Sequence, residues 1–338
     1  MNNQTTTTIS SAYATTGPLP YTLTNDYLFR ALLQRNNHVL KGLICAVLHL
    51  SEEEVVSVTI ENPIELGKAI DTKTCILDVK VLLNSNTYIN LEMQVLNYNN
   101  WTERSLTYLC RCFDHLETGN DYSDVKPAFQ ISFLNYSLFP EYPEFFATYK
   151  FLNVKNHTAY SDKLQLSVVD LTHIELATEE DKKYHIDMWA SLFKSTTWEE
   201  IKMLAENNDY MNEAYESLYL VSKEDDIRLQ CEAREEYYRV QRTGERIREL
   251  LETKLSEKVA QLNETSLQLE EKDAKLKETT SQLEETTSQL EEKSSQLEET
   301  TSQLEEKIYR LEETEAQIKE KDLQIQQLLA QIEELKKQ

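Results

Sequence analysis

The sequence predicts a mixed α/β core followed by a helical lobe and a long heptad-repeat coiled coil. Three observations carry that prediction. Residues 74–95 alternate apolar and polar side chains with the period of a strand, whereas the runs on either side follow the helical period. The last proline is Pro143 and the last glycine is Gly244, so the C-terminal part lacks both helix-breaking residues. From Leu255 onward, one heptad position is aliphatic twelve times in succession.

The elements follow in order. Residues 1–19 read as a flexible Thr/Ser/Asn-rich lead closed by Gly17 and Pro18. With no basic start and no apolar core, the lead is not a signal peptide. Thr24 or Asn25 can cap a helix that carries Leu28, Phe29, Leu32 and Leu33 on one face. A second amphipathic run, Val39 to Leu48, stops before Ser51, which opens a short acidic turn. Cys75, Leu77, Val79, Val81 and Leu83 form one apolar set; Ile89, Leu91, Met93 and Val95 form another. The turn-forming triplet Asn84-Ser85-Asn86 joins them into a hairpin. Trp101 to Leu116 reads as a helix ended by Gly119, and Ala128 to Phe139 and Leu164 to Leu176 read as strands. From Glu179 to about Arg239 the pattern is helical. The expected organisation is therefore a core over 20–178, a helical lobe over 179–244 and a coiled coil over 245–338.

Composition excludes several classes. Against 35 Lys and Arg stand 59 Asp and Glu, a net charge of −24. The acidity is shared, −15 over residues 1–240 and −9 over 241–338, which argues against nonspecific nucleic-acid binding. The longest apolar stretch, Val39 to Leu50, is 12 residues and contains Lys41 and His49, too short and too polar for a membrane. Five cysteines, an odd number without a CxxC pair, fit a reduced cytoplasmic chain. His38, His49 and His115 have no His or Cys partner at helical spacing and read as surface residues. Cys110 and Cys112 lie on different faces of a helix and read as packing residues.

In the tail, leucine recurs every seventh residue from 255 to 311, and isoleucine follows at 318, 325 and 332. The companion seam position is poor: Ser266, Asp273, Thr280, Thr287, Ser294 and Thr301 precede a recovery at Ile308 and Leu329. The expectation is weak homo-oligomerisation through the C-terminal third; the competing reading is a solvated single helix.

The hairpin carries the chemistry. Centred on Ser85, it pairs Leu82 with Tyr88, Lys80 with Asn90 and Asp78 with Glu92, and only an odd loop keeps the apolar sets on one face. Asp78, Glu92 and Gln94 then share the opposite face. Two carboxylates across a ladder repel, and a divalent cation with its preference for oxygen removes that repulsion. The bland reading is the solvent-facing polar side of a half-exposed hairpin.

Thr24-Asn25-Asp26-Tyr27-Leu28-Phe29, Leu77-Asp78-Val79-Lys80 and Asn90-Leu91-Glu92-Met93-Gln94 together resemble the PD-(D/E)XK nuclease family transposases, the Rpn-type recombination-promoting nucleases. Arg104 and Tyr108, Gly119 to Tyr122, Pro127, Ile131-Ser132-Phe133 and the helical stretch to Glu236 are similar too. The resemblance covers roughly residues 20–240. It implies a restriction-endonuclease-like αβββαβ core and cleavage of DNA dependent on Mg²⁺ or Mn²⁺. Asp78 and Glu92 match the metal-binding acids, Gln94 the third motif position, and Asp26 the first-helix acid that can complete the ion's shell. Leu77 stands where the wider superfamily has proline. Gln94 stands where it has lysine, and glutamine brings hydrogen bonds without a charge. Arg104 and Arg111 lie seven apart on one helix face, placed for DNA phosphates or simply solvated. Two functional readings follow: a metal-dependent DNA endonuclease, or a coiled-coil interaction protein with a weak or inactive nuclease-like domain. A purely structural rod with a globular head leaves the three aligned polar residues unexplained.

Overall fold

The computed structural model describes residues 14–63, 79–116, 119–206 and 208–336. The chain divides into two compact units, Met1–Ile247 and Arg248–Gln338.

In the first unit, Asn25 caps α1 (Asp26–Arg35), its side-chain oxygen accepting the Leu28 N–H at 3.3 Å. Asn36 ends that helix and caps α2 (Asn37–Leu48) by accepting from His38 and Val39. Strands β1 (Val58–Ile60), β2 (Val79–Leu83) and β3 (Thr87–Gln94) form an antiparallel meander. Lys80 faces Asn90 and Leu82 faces Tyr88, the register that the alternation requires. Asn84 and Ser85 adopt left-handed φ values of 49° and 56° to close the loop. The Asn84 oxygen accepts from Val56 and Ser57, pinning the loop to the approach of β1.

Helix α3 (Trp101–Phe113) then crosses over to β4 (Ala128–Leu134), which runs parallel to β3. Strand β5 (Phe146–Tyr149) precedes β6 (Leu164–Asp170), and the sheet order among the described residues is β1-β2-β3-β4-β6-β5. One face, with Val79, Val81, Leu91, Met93, Ile131 and Phe133, packs into the main core. The other face lies under α3, where Trp101 meets Leu134 and Val168 and Leu109 meets Ala128. A sheet covered on both faces explains why β4 reads as one buried run.

The lobe consists of α4 (Glu179–Lys183), α5 (Ile186–Lys194), α6 (Trp198–Ala205), α7 (Asp209–Ser222) and the start of α8 (Asp225–Leu335). It shares the main core: Trp189, Phe193, Tyr215 and Ile227 belong to the same buried cluster as Phe29 and Phe133. Gly42 permits the contact of α2 with α7, because a Cβ there would overlap the Tyr210 ring.

Four expectations change. Gly17 to Leu19 are not a loose lead: Pro18 bridges Thr197, Leu19 N–H donates to the Thr196 carbonyl at 2.8 Å, and Glu199 accepts from Gly17 N–H at 2.9 Å. Helix α3 ends at Phe113 rather than near Gly119, where Asp114 N–H closes on the Cys110 carbonyl. The third and fourth strand-like runs are shorter than expected, since β4 stops at Leu134 and β6 at Asp170. Strands β1 and β5 add to the expected set. Each is an edge strand of three or four residues, too brief for alternation to be recognised.

In the second unit α8 continues without a break to Leu335. The twelve heptad aliphatics are between 47% and 69% exposed. The hydroxyls of Thr280, Thr287 and Thr301 each donate to the carbonyl four residues back at 2.8 Å, so these threonines present their methyl groups. Among the described residues no helix is long and apolar enough to cross a membrane.

Candidate catalytic site

The polar row of β3 is interior. Asn90, Glu92 and Gln94 are 1%, 3% and 9% exposed, which removes the reading of a solvent-facing hairpin side. The cause is α3, which lies on the face that the hairpin alone would leave wet. Asn90 donates to the Gln130 amide oxygen at 2.8 Å, and Gln130 to the Ser132 hydroxyl at 3.3 Å. Glu92 sits beside Ser132 in the parallel register. The Gln94 amide nitrogen donates to the Leu96 carbonyl at 2.9 Å, so its oxygen is what the side chain offers the site.

Arg104 of α3 reaches Glu92. Its guanidinium nitrogen Nη2 lies 2.5 Å from Glu92 Oε1, with side-chain exposures of 28% for Arg104 and 5% for Glu92. The rings of Trp101 and Tyr108 flank the guanidinium at 5.8 and 5.3 Å. Burial opposes the charge on Arg104, but the Glu92 carboxylate and then Tyr108 outweigh it, and the guanidinium pKa is raised. Burial, followed by the negative charge of Glu92, pushes up the Tyr136 phenol. The pair is a buried, charge-assisted contact in a low-dielectric setting.

Arg104, Tyr108, Arg111 and His115 recur at helical spacing, so one row of this segment follows β3. Arg111 is exposed, 5.8 Å from the Tyr108 ring, and His115 meets Tyr88 at 4.6 Å. Lys80 and Lys126 lie 4.6 and 5.3 Å from the Tyr88 ring. A cationic and aromatic strip thus adjoins Glu92 in a chain whose net charge is −24. Alternation already put Lys80 and Tyr88 on the face of Glu92. Lys126 lies outside any periodic segment, and Tyr136, within the expected strand run from Ala128 to Phe139, follows the end of β4 at Leu134. Asp170, another buried acid, aligns with Gln94 through Leu134 and accepts from Thr172 N–H at 2.8 Å and pairs with His173 at 2.9 Å.

Asp26 is bound elsewhere. Both of its oxygens accept from Arg234 of α8, one from Nε at 2.8 Å and the other from Nη2, and the pair is 10% and 15% exposed. Beside it the Asn25 amide donates to the Cys231 carbonyl and to Glu235, both at 3.0 Å. Burial, with Asp26 and Glu235 adding to it, pushes the Cys231 thiol up to about 12.

Asp78 lies outside the described residues, as do Cys75 and Leu77. Among the described residues no group of three or more His, Cys, Asp or Glu is placed to hold a metal ion. The donors around Glu92 are a carboxylate, the Gln94 amide oxygen and the Ser132 hydroxyl, hard oxygen ligands of the kind that suit Mg²⁺ or Mn²⁺. The histidines are partly exposed and make contacts at the surface: His38 lies 3.0 Å from a Glu213 oxygen, and His49 stacks on Tyr184 at 4.3 Å. Cys112, on α3, is buried in the cluster with Leu109 and Ala128, whereas Cys110 on the same helix is exposed.

Compared with protein-family models, residues 23–246 match the one described as PD-(D/E)XK nuclease family transposase. No curated protein and no solved structure matches the chain.

Proposed function

The chain belongs to the PD-(D/E)XK nuclease family transposases, and we propose that it is a metal-dependent DNA endonuclease of the recombination-promoting type, acting in the cytoplasm. The observation that carries the proposal is Glu92: a carboxylate 3% exposed on a central strand, two residues from Gln94 and paired with Arg104 of α3. Such a group costs stability, because burying a charge is expensive even when paired, and a catalytic use would explain why the chain keeps it. Asp78 and Glu92 would hold Mg²⁺ or Mn²⁺. Bound there, the ion supplies Lewis acidity toward a phosphoryl oxygen and a more acidic water. The Gln94 oxygen would accept a hydrogen bond from the attacking water and orient it. Asp26 joins the ligand set only if Arg234 releases its carboxylate.

DNA would approach along the strip beside α3, with Arg111, Lys80 and Lys126 on phosphates and Tyr88 between the two lysines. These contacts position the backbone without reading sequence. In an acidic chain, such a local strip overcomes the unfavourable net charge.

The experiment that tests the function is plasmid nicking by the full-length protein. Conversion of supercoiled to open-circular DNA is expected with Mg²⁺ and absent with EDTA. Equal rates under both conditions would remove the metal from the reading, and no nicking with Mg²⁺ or Mn²⁺ would favour an interaction protein with an inactive nuclease-like domain.

The tail would join chains weakly. Support comes from the exposed heptad aliphatics and from threonines whose hydroxyls are satisfied within their own helix. Each further buried aliphatic side chain is worth about 1.5–3 kcal/mol, so Ile308, Ile318, Ile325, Leu329 and Ile332 should dominate. Removal of residues 305–338 is expected to leave a monomer in analytical ultracentrifugation, while removal of 266–301 keeps the oligomer. An oligomer that survives the first deletion would place the seam in the Thr/Ser heptads instead.

A further inference from the structure

We propose that Arg104 is an exchangeable counter-ion of Glu92: it holds the carboxylate in the ion-free protein, gives it up to the divalent metal, and then supplies the positive charge that Gln94 lacks. The inference rests on the metal-dependent reading above and assigns it a residue and a sequence of events.

Four observations converge. The Arg104 guanidinium lies 2.5 Å from Glu92 Oε1, so a divalent cation taken up by this carboxylate meets a positive charge already on it. Glu92 is the more buried partner at 5%, and Arg104 keeps 28% exposure, so the arginine is the side free to move toward solvent. The rings of Trp101 and Tyr108 already flank the guanidinium at 5.8 and 5.3 Å while it is on the carboxylate, so a short shift off Glu92 can keep it beside them. The motif position nearest Glu92 on its own face carries a neutral amide whose nitrogen is already bound to the Leu96 carbonyl.

The electrostatics favour exchange over coexistence. A divalent ion and a guanidinium on one carboxylate repel each other, and the repulsion is strong where water is scarce. Once displaced by a few ångströms, an arginine remains charged at any working pH and presents a planar fork of donors that suits phosphate. Beside the carboxylate that would hold the ion, such a cation would act on negative charge developing on a phosphoryl group bound there. Arg104 is thus a positioning residue for Glu92 before the ion binds and a phosphate-directed cation after it.

The test measures Mn²⁺ binding to the full-length protein by electron paramagnetic resonance and calorimetry, alongside plasmid nicking. Arg104→Gln removes the competitor, so Mn²⁺ is expected to bind about tenfold more tightly while nicking at saturating metal falls on the order of a hundredfold. Arg104→Lys keeps the charge and protects the fold should the glutamine variant not accumulate; it should nick at an intermediate rate. In wild type, metal should also change tryptophan fluorescence, and that change should disappear in Trp101→Phe. If Arg104→Gln, or Arg104→Lys where the former does not fold, binds Mn²⁺ and nicks as wild type does, the exchange is wrong and the nuclease reading stands. If wild type neither binds Mn²⁺ nor nicks, the metal-dependent reading falls and the exchange with it.

Discussion

Glu92→Gln should abolish Mg²⁺-dependent cleavage, with a fall on the order of a thousandfold or more, because under the proposed function it removes a charge that would hold the ion. Asp78→Ala should do the same. The two differ in what they do to the fold. Glu92→Gln leaves Arg104 facing a neutral amide, and removing one partner of a buried ion pair costs up to about 3–5 kcal/mol. Since Arg104 is 28% exposed and can turn to solvent, the expected loss is at the low end, roughly 1–3 kcal/mol. Pairing Glu92→Gln with Arg104→Met should restore stability without restoring cleavage. Gln94 is a milder case. Gln94→Ala should slow turnover by about tenfold, the scale of a lost orienting hydrogen bond. Gln94→Lys keeps a donor for the Leu96 carbonyl and adds charge, so it should be tolerated. Nicking assays and thermal melts of the same preparations separate the effects. Wild-type cleavage by a folded Glu92→Gln protein would sink the site.

Breaking the Asp26–Arg234 pair should cost more stability than any of those changes. The two residues are 10% and 15% exposed and bonded through both carboxylate oxygens, and they tie α1 to the first turns of α8. Asp26→Asn removes the carboxylate charge that Arg234 is bonded to through both oxygens, for an expected loss of about 2–4 kcal/mol. In a unit of this size that is a fall in Tm of about 5–15 °C. Asp26→Leu with Arg234→Met should recover most of it, as neutral replacement of a buried pair generally does. The same variants decide whether Asp26 serves the metal. A structural tie predicts a lowered Tm in EDTA with Mn²⁺ affinity unchanged in Asp26→Asn. Weakened Mn²⁺ binding with an unaltered Tm would return Asp26 to the ion's shell.

Much of this architecture was legible along the chain. The hairpin register follows from alternation alone: a one-residue slip would have turned Val79 and Val81 onto the face of Glu92, and the observed pairing of Lys80 with Asn90 avoids it. Asn25 as a cap and the halt of α2 before Ser51 are local events, settled by side chains within a turn of the backbone. The unbroken helix after Gly244 follows from the absence of glycine and proline there. The site motif on β3 was visible for the same reason, since Glu92 and Gln94 are two residues apart on one strand.

Other features depended on where the chain returns. Whether the polar face of β3 is wet or dry depends on α3, which alternation within the hairpin cannot express. Arg104 was legible as a basic residue on a helix face, but its partner was decided when α3 crossed back over the sheet. Asp26 looked like a candidate ligand; its actual partner lies 208 residues away along the chain. Strands β1 and β5 exist because neighbouring strands offer them hydrogen bonds, not because three or four residues carry a pattern. Period, caps, hairpin register and the unbroken C-terminal helix can be read along the chain, because each is set by contacts within a few residues. Only the tertiary structure decided burial and charge pairing at Glu92 and Asp26, because those energies depend on which distant surface excludes the water.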